Sequence, residues 1–241
     1  MAIEGSHREG CELNIIITRS LIMNLTYGIY LYPEVASLDF VGPYEAFDLS
    51  CYLLKSGRVV TIAETDEPIV CSNGMEVKPQ FTFDTAPELD ILLVPGANSL
   101  EAALNSEKAI DWVRQQADTV RFTTAVCTGA LILQKAGLLA GKKATTHWML
   151  IEALSADESV TVMPEMRYVR DGNMVTSQGV SAGIDMSLWL LGELHSPAHA
   201  REVRKVLHYD PAPPYQQEQS SCFRKTTFKA RCMCESLYNN P

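Results

Sequence analysis

Along the chain, apolar and polar positions first settle into a clear pattern at Tyr27. Tyr27 to Tyr32 is almost continuously apolar, as in a strand covered on both faces, and Pro33 ends it. Tyr44 to Leu54 then follows a helical period, with Pro43 near the first turn, where proline is tolerated. Val59 to Ala63 reads as a second strand. Ile69 to Cys71 and Met75 to Val77 flank Ser72-Asn73-Gly74, and Asn-Gly is a strong hairpin signal. Ile91 to Val94 is the most apolar strand; it runs into Pro95-Gly96-Ala97-Asn98, and a helical stretch follows through Trp112 and Val113.

Phe122 to Val126 repeats the buried-strand pattern up to Cys127, and Thr128 to Leu133 continues as helix. Lys143 to Trp148 reads as a short strand and loop. Tyr168 to Arg170 and Met174 to Thr176 form a second hairpin around Asp171-Gly172-Asn173. Ser181 to Leu194 is a long amphipathic helix, and Ser196-Pro197 starts another, with serine at the N-cap and proline at N1. Strands alternating with helices in this way predict an α/β fold, a doubly wound, mostly parallel sheet with helices on both faces. Residues 1–25 lack clear periodicity and read as an N-terminal extension. Residues 26–214 form the α/β domain, and 215–241 read as a polar tail containing Cys222, Cys232 and Cys234.

Composition narrows the class of protein. A formal net charge of -9 over 241 residues lacks the basic footprint of a nucleic-acid binder and suits a small, uncharged substrate. The 7 cysteines, scattered without a framework, argue for a reducing, cytoplasmic setting rather than a secreted disulfide fold. No stretch reaches the roughly 20 apolar residues of a membrane span. The three thiols of the tail lack both a fourth ligand and a Cys-x-x-Cys pair, so no metal site is expected there.

The chemistry converges on strand ends. A strand that turns at once into a helix pushes its corner side chain out of the sheet, and first-turn N–H groups favour a thiolate there. Cys127 is therefore a candidate nucleophile, against the alternative of a packed core cysteine. In a doubly wound sheet ligands gather outside the carboxyl ends of the strands, where Asp39, Gly96-Ala97 and Cys127 all fall. The N–H groups of Gly96, Ala97 and Thr128 are candidates for an oxyanion-hole-type site. Asp39, framed by Leu38, Phe40 and Val41, has two readings: a proton-transfer acid with a raised pKa, or a helix N-terminal cap. Among His147, His195, His199 and His208, His147 is placed to line the pocket, as a wall residue rather than a catalytic base.

Ala125-Val126-Cys127-Thr128-Gly129-Ala130, Ala144-Thr145-Thr146-His147-Trp148, Arg170 to Thr176 and Ser181 to Asp185 together resemble the ThiJ/PfpI superfamily over roughly Tyr27 to Pro214. That resemblance implies a flavodoxin-like, class I glutamine amidotransferase-like fold. Leu38 to Pro43, Cys127-Thr128 and Tyr209 to Pro214 are most similar to its isocyanide (isonitrile) hydratase branch. The branch implies a homodimer without metal or organic cofactor, hydrating isocyanides to N-substituted formamides through a Cys127 thioimidate, with Asp39 as acid and base and Thr128 orienting one of them. Protease and stress-chaperone branches carry histidine directly after the nucleophile and a glutamate after the first strand; Thr128 and Asp39 depart from both. Other readings are a small-molecule sensor like the N-terminal half of AraC-type regulators, a redox or carbonyl-stress protein, and an amidase-like hydrolase. About 30 residues follow Tyr209, too few for a helix-turn-helix domain.

Overall fold

The computed structural model describes residues 23–211. The expected tail, with Cys222, Cys232 and Cys234, and most of the expected N-terminal extension lie outside the described residues. Seven strands form the central sheet in the order β10-β11-β7-β6-β1-β2-β5: β1 (Thr26–Tyr30), β2 (Arg58–Ala63), β5 (Phe81–Thr82), β6 (Ile91–Val94), β7 (Phe122–Val126), β10 (Tyr168–Asp171) and β11 (Met174–Ser177). All neighbours are parallel except the β10–β11 hairpin at one edge. This is the doubly wound α/β sheet of the flavodoxin-like class, as the alternation of elements predicts. Two small pairs stand apart: the hairpin β3 (Ile69–Val70) with β4 (Glu76–Val77), and β8 (Lys143–Ala144) with β9 (Thr161–Val162). The first is the hairpin that Asn73-Gly74 announces.

Ile91 to Val94 are fully buried, and burying each such side chain contributes about 1.5–3 kcal/mol. Strand order reverses direction at β1 and β6, so the crevice there opens at their carboxyl ends. The helices are α1 (Ser37–Leu54), α2 (Glu101–Asn105), α3 (Glu107–Thr119), α4 (Gly129–Lys135), α5 (Ile151–Ser155), α6 (Ala182–Leu194) and α7 (Pro197–Val206). Ser196 caps α7 as expected, its Oγ accepting the His199 N–H at 3.1 Å. Leu25 is already core, and its carbonyl accepts the Arg58 N–H at 3.0 Å.

One element differs from the sequence expectation. The helix expected from Tyr44 begins at Ser37, so Pro43 lies inside it and Asp39 in its first turn. The proline ring removes the N–H that would have reached the Asp39 carbonyl. Close packing spans the gap: a Cβ on Gly183 of α6 would lie 3.3 Å from Pro43 Cγ and 3.0 Å from Val126. Pro43 reads as a helix start because proline favours first turns, whereas tertiary packing lets this helix run through it.

Candidate functional site

Four neighbouring strands, β1, β6, β7 and β11, each deliver a group at the carboxyl edge of the sheet. After β7 the chain turns at Cys127 with φ 59, a left-handed conformation unusual for a residue with a Cβ. The corner is tied down from both sides. Its N–H donates to the Ser177 and Gln178 carbonyls, each at 3.2 Å, and its carbonyl accepts the Thr146 hydroxyl at 2.8 Å. Gly129 follows because nothing larger fits: a Cβ there would sit 2.8 Å from the Pro95 carbonyl oxygen.

Asp39, fully buried, faces this corner from α1. Its Oδ2 accepts the Gly96 N–H and its Oδ1 the Val180 N–H, both at 3.1 Å. The carboxyl does not cap its own helix, because it is turned across the crevice instead. Burial pushes its pKa up to about 6, against hydrogen bonds from the Cys127 thiol and from the Gly96 and Val180 N–H groups, which favour the carboxylate. Burial also pushes the Cys127 thiol well up, and the charge of Asp39 and the hydrogen bond to it add to the rise. The N–H groups of Thr128 and Val180 act the other way, because both face the sulfur. The N–H groups expected to favour a thiolate at this corner are therefore present, but they are not alone. Desolvation and the adjacent carboxylate oppose those donors by favouring the thiol, which is hydrogen-bonded to Asp39. The two groups are hydrogen-bonded to each other, so their titrations are coupled.

The oxyanion arrangement expected from Gly96 and Ala97 is corrected. The Gly96 N–H belongs to Asp39, and the Ala97 N–H donates to Thr128 Oγ1 at 2.8 Å. Thr128 Oγ1 returns a hydrogen bond to the Ala97 carbonyl at 3.0 Å, so its hydroxyl clamps the loop after β6 and reaches neither Asp39 nor the sulfur. The Val35–Ala97 bridge and the Ala36 N–H on the Gly96 carbonyl at 2.8 Å fold this loop onto the start of α1. The donors that remain on the sulfur are the Thr128 and Val180 N–H groups. Gly96 is required by space: a Cβ would meet Thr128 Oγ1 at 2.6 Å, Thr128 N at 2.7 Å and Asp39 Oδ2 at 2.8 Å.

His147 borders the site. A Cβ on Gly179 would lie 3.4 Å from Cys127 Sγ and 3.2 Å from His147 Nε2, so sulfur and imidazole converge above this glycine. His147 Nδ1 accepts the Met149 N–H at 3.3 Å, which assigns the ring proton to Nε2, the nitrogen near Gly179. Burial lowers its pKa, so the ring is a neutral donor at the wall. His195 and His199 are turned elsewhere, to the Tyr27 hydroxyl at 3.2 Å and the Ser50 hydroxyl at 2.7 Å, and His208 is exposed.

Three contributors escape a reading of the sequence. Tyr32 is buried beside the pair and donates to the Pro95 carbonyl at 2.7 Å; burial and the nearby Tyr30, Asp39 and Cys127 hold its phenol neutral. Gly179 and Val180 connect β11 to α6, and Val180 has φ 55, an outlier for a β-branched residue. A glycine just past the carboxyl end of a strand was the available signal for this turn. Among the described residues no group of three or more His, Cys, Asp or Glu side chains could hold a metal ion, and no helix is long and apolar enough to cross a membrane.

A cysteine on a left-handed strand-to-helix corner, an acid from the first turn of α1 and a neutral histidine beside them together define the site. Residues 28–193 match the DJ-1/PfpI family, and the chain belongs to it. It is similar to an isonitrile hydratase of Pseudomonas putida, 39% identical over 197 residues, covering 80% of this chain and 82% of that protein. A THiJ/PfpI family protein from Pseudomonas syringae superposes with a TM-score of 0.74 at 30% identity, covering 88% of this chain and 84% of the other. The HTH-type transcriptional regulator GbdR of Pseudomonas aeruginosa is 28% identical over 150 residues, covering 62% of this chain and 41% of the regulator.

Proposed function

We propose that this protein hydrates isocyanides to N-substituted formamides, with Cys127 as nucleophile and Asp39 as the single acid and base. The observation that carries this reading is the buried Cys127 thiol hydrogen-bonded to the buried Asp39 carboxyl, with no histidine between them. The 39% identity to an isonitrile hydratase supports it. An isocyanide is linear and slender, so its terminal carbon suits a cysteine that is only 8% exposed.

The reaction begins with the thiol proton on its way to the Asp39 carboxylate. The sulfur forms a bond to the terminal carbon, and the proton held by Asp39 passes to that same carbon, giving the thioimidate R–N=CH–S–Cys127. Asp39, again a carboxylate, takes a proton from water as the hydroxyl adds to the carbon and returns that proton to the nitrogen. Collapse of the tetrahedral R–NH–CH(OH)–S–Cys127 breaks the C–S bond, the hydroxyl proton returns to the pair, and R–NH–CHO leaves. One water is consumed and no redox change occurs. The N–H groups of Thr128 and Val180 stabilise the sulfur whenever it carries charge.

The test is loss of an aryl isocyanide's absorbance with wild type, Cys127→Ala and Asp39→Ala. The expected outcome is turnover by wild type alone. No turnover by wild type overturns the hydratase reading, and full activity in Asp39→Ala overturns the mechanism. The similarity to GbdR supports a second reading, ligand sensing by the same pocket, which predicts binding of an isocyanide-sized ligand without consumption.

A further inference from the structure

We propose that Arg167, which touches neither Cys127 nor Asp39, is a positioning residue that holds the Gly179–Val180 turn so that the Val180 N–H faces both. This inference rests on the reading of Cys127 and Asp39 as the reacting pair. Its starting point is the cost of the turn. A β-branched residue at φ 55 is strained, so an unrestrained Val180 relaxes and carries its N–H away from Asp39.

The inner side of the turn is fixed by packing. Gly183 lies against Val126 and Pro43, and a Cβ on Gly42 of α1 would approach Ile184 Cγ1 to 2.8 Å. On the outer side the restraint is Arg167, just before β10. Its carbonyl accepts the Gln178 N–H at 2.9 Å. Its guanidinium donates to Ser181 Oγ at 3.1 Å and pairs with Asp185 in the first turn of α6. One residue therefore grips the chain on both sides of Gly179 and Val180, and the phenol of Tyr209 approaches the same ion pair. Holding Ser181 and Asp185 at once needs a planar fork of donors, which arginine has and lysine lacks.

The protein supplies its own control. Arg170 pairs with Glu193 at 2.7 Å, again joining β10 to α6, but at the far end of the helix. Both arginines are about half exposed, with side-chain accessibilities of 47% and 44%, and exposed pairs of this kind contribute little to stability. If Arg167 merely braces the fold, the two should behave alike.

The experiment compares wild type, Arg167→Gln, Arg167→Lys, Asp185→Asn and Arg170→Gln by isocyanide kcat and KM, Tm, and the pH profile of iodoacetamide alkylation read on the Cys127 peptide. Arg167→Gln is expected to lose about tenfold in kcat with KM nearly unchanged, a weakened rather than deleted donor at a developing charge. Its alkylation profile moves to higher pH, because both Asp39 and the thiolate lose a hydrogen bond. Arg167→Lys recovers part of the loss, Asp185→Asn falls with Arg167→Gln, and Arg170→Gln stays near wild type in kcat and profile. Arg167→Gln matching Arg170→Gln in both readouts overturns the proposal, as does a loss of kcat that tracks Tm with no profile shift. If wild type consumes no isocyanide, the hydratase reading fails alone, and the alkylation shift decides Arg167 independently.

Discussion

Two buried cysteines in this protein have opposite surroundings. Cys51 lies on α1 with ordinary helical backbone, and burial with the nearby Asp48 pushes its thiol up to about 11. Its sulfur packs toward the Leu25–Gly57 contact, where a Cβ on Gly57 would lie 3.1 Å away. Cys127 is just as buried but sits on a left-handed corner, with two N–H groups on its sulfur and a carboxyl within proton-transfer reach. Burial alone makes a thiol inert. What separates the two is a strained backbone that turns donors and a base onto one of them.

The largest effect expected is on that distinction itself. Cys127→Ala should lower isocyanide turnover by about a thousandfold or more. Cys51→Ala should leave it near wild type and cost about 1–2 kcal/mol of stability, measured by denaturant unfolding. Equal losses of activity would erase the contrast.

Asp39→Asn comes next, with activity down by about 10²–10⁴-fold in the same assay. Its effect on stability has the opposite sign. The folded carboxyl titrates near 6 against 3.8 for the free group. Below about pH 4 both folded and unfolded states hold the proton, and no penalty exists. As pH rises through that window the unfolded chain loses its proton first, so native stability falls until about pH 6 and stays lowered above it. Asp39→Asn should therefore be more stable than wild type at pH 8, by on the order of 1 kcal/mol, and equal to it below pH 4. Unfolding curves at the two pH values check this.

Smaller effects concern the frame. Gly96→Ala forces a methyl against Thr128 and Asp39 and should cost about 1–3 kcal/mol, with activity falling because Asp39 is displaced. Thr128→Val leaves a buried N–H and carbonyl of Ala97 without their partner and should cost about 1–3 kcal/mol, with a milder loss of kcat because the Thr128 N–H stays on the sulfur.

The legible parts were those that local chemistry dictates. Apolar runs announced β1, β6 and β7, Asn73-Gly74 and Gly172-Asn173 announced the hairpins, and the abrupt change of period announced the corner at Cys127. The start of α1 was hidden because its cap, Ala36, makes no side-chain hydrogen bond, while Pro43 mimics a first turn. The fate of the Gly96 and Ala97 N–H groups was hidden because their partners, Asp39 and Thr128, lie 57 and 31 residues away. Val180 was hidden most deeply. Local preference argues against a left-handed valine, and only the packing of α6 and its contacts hold it there.

The most direct test of this coupling between Cys127 and Asp39 is the pH dependence of Cys127 alkylation in wild type and Asp39→Asn, followed on the Cys127 peptide. The account predicts reactivity rising through a limb near pH 6 in wild type, as Asp39 ionises and becomes the base for the thiol, and loss of that limb in Asp39→Asn. A single alkaline titration, identical in the two proteins, would contradict it.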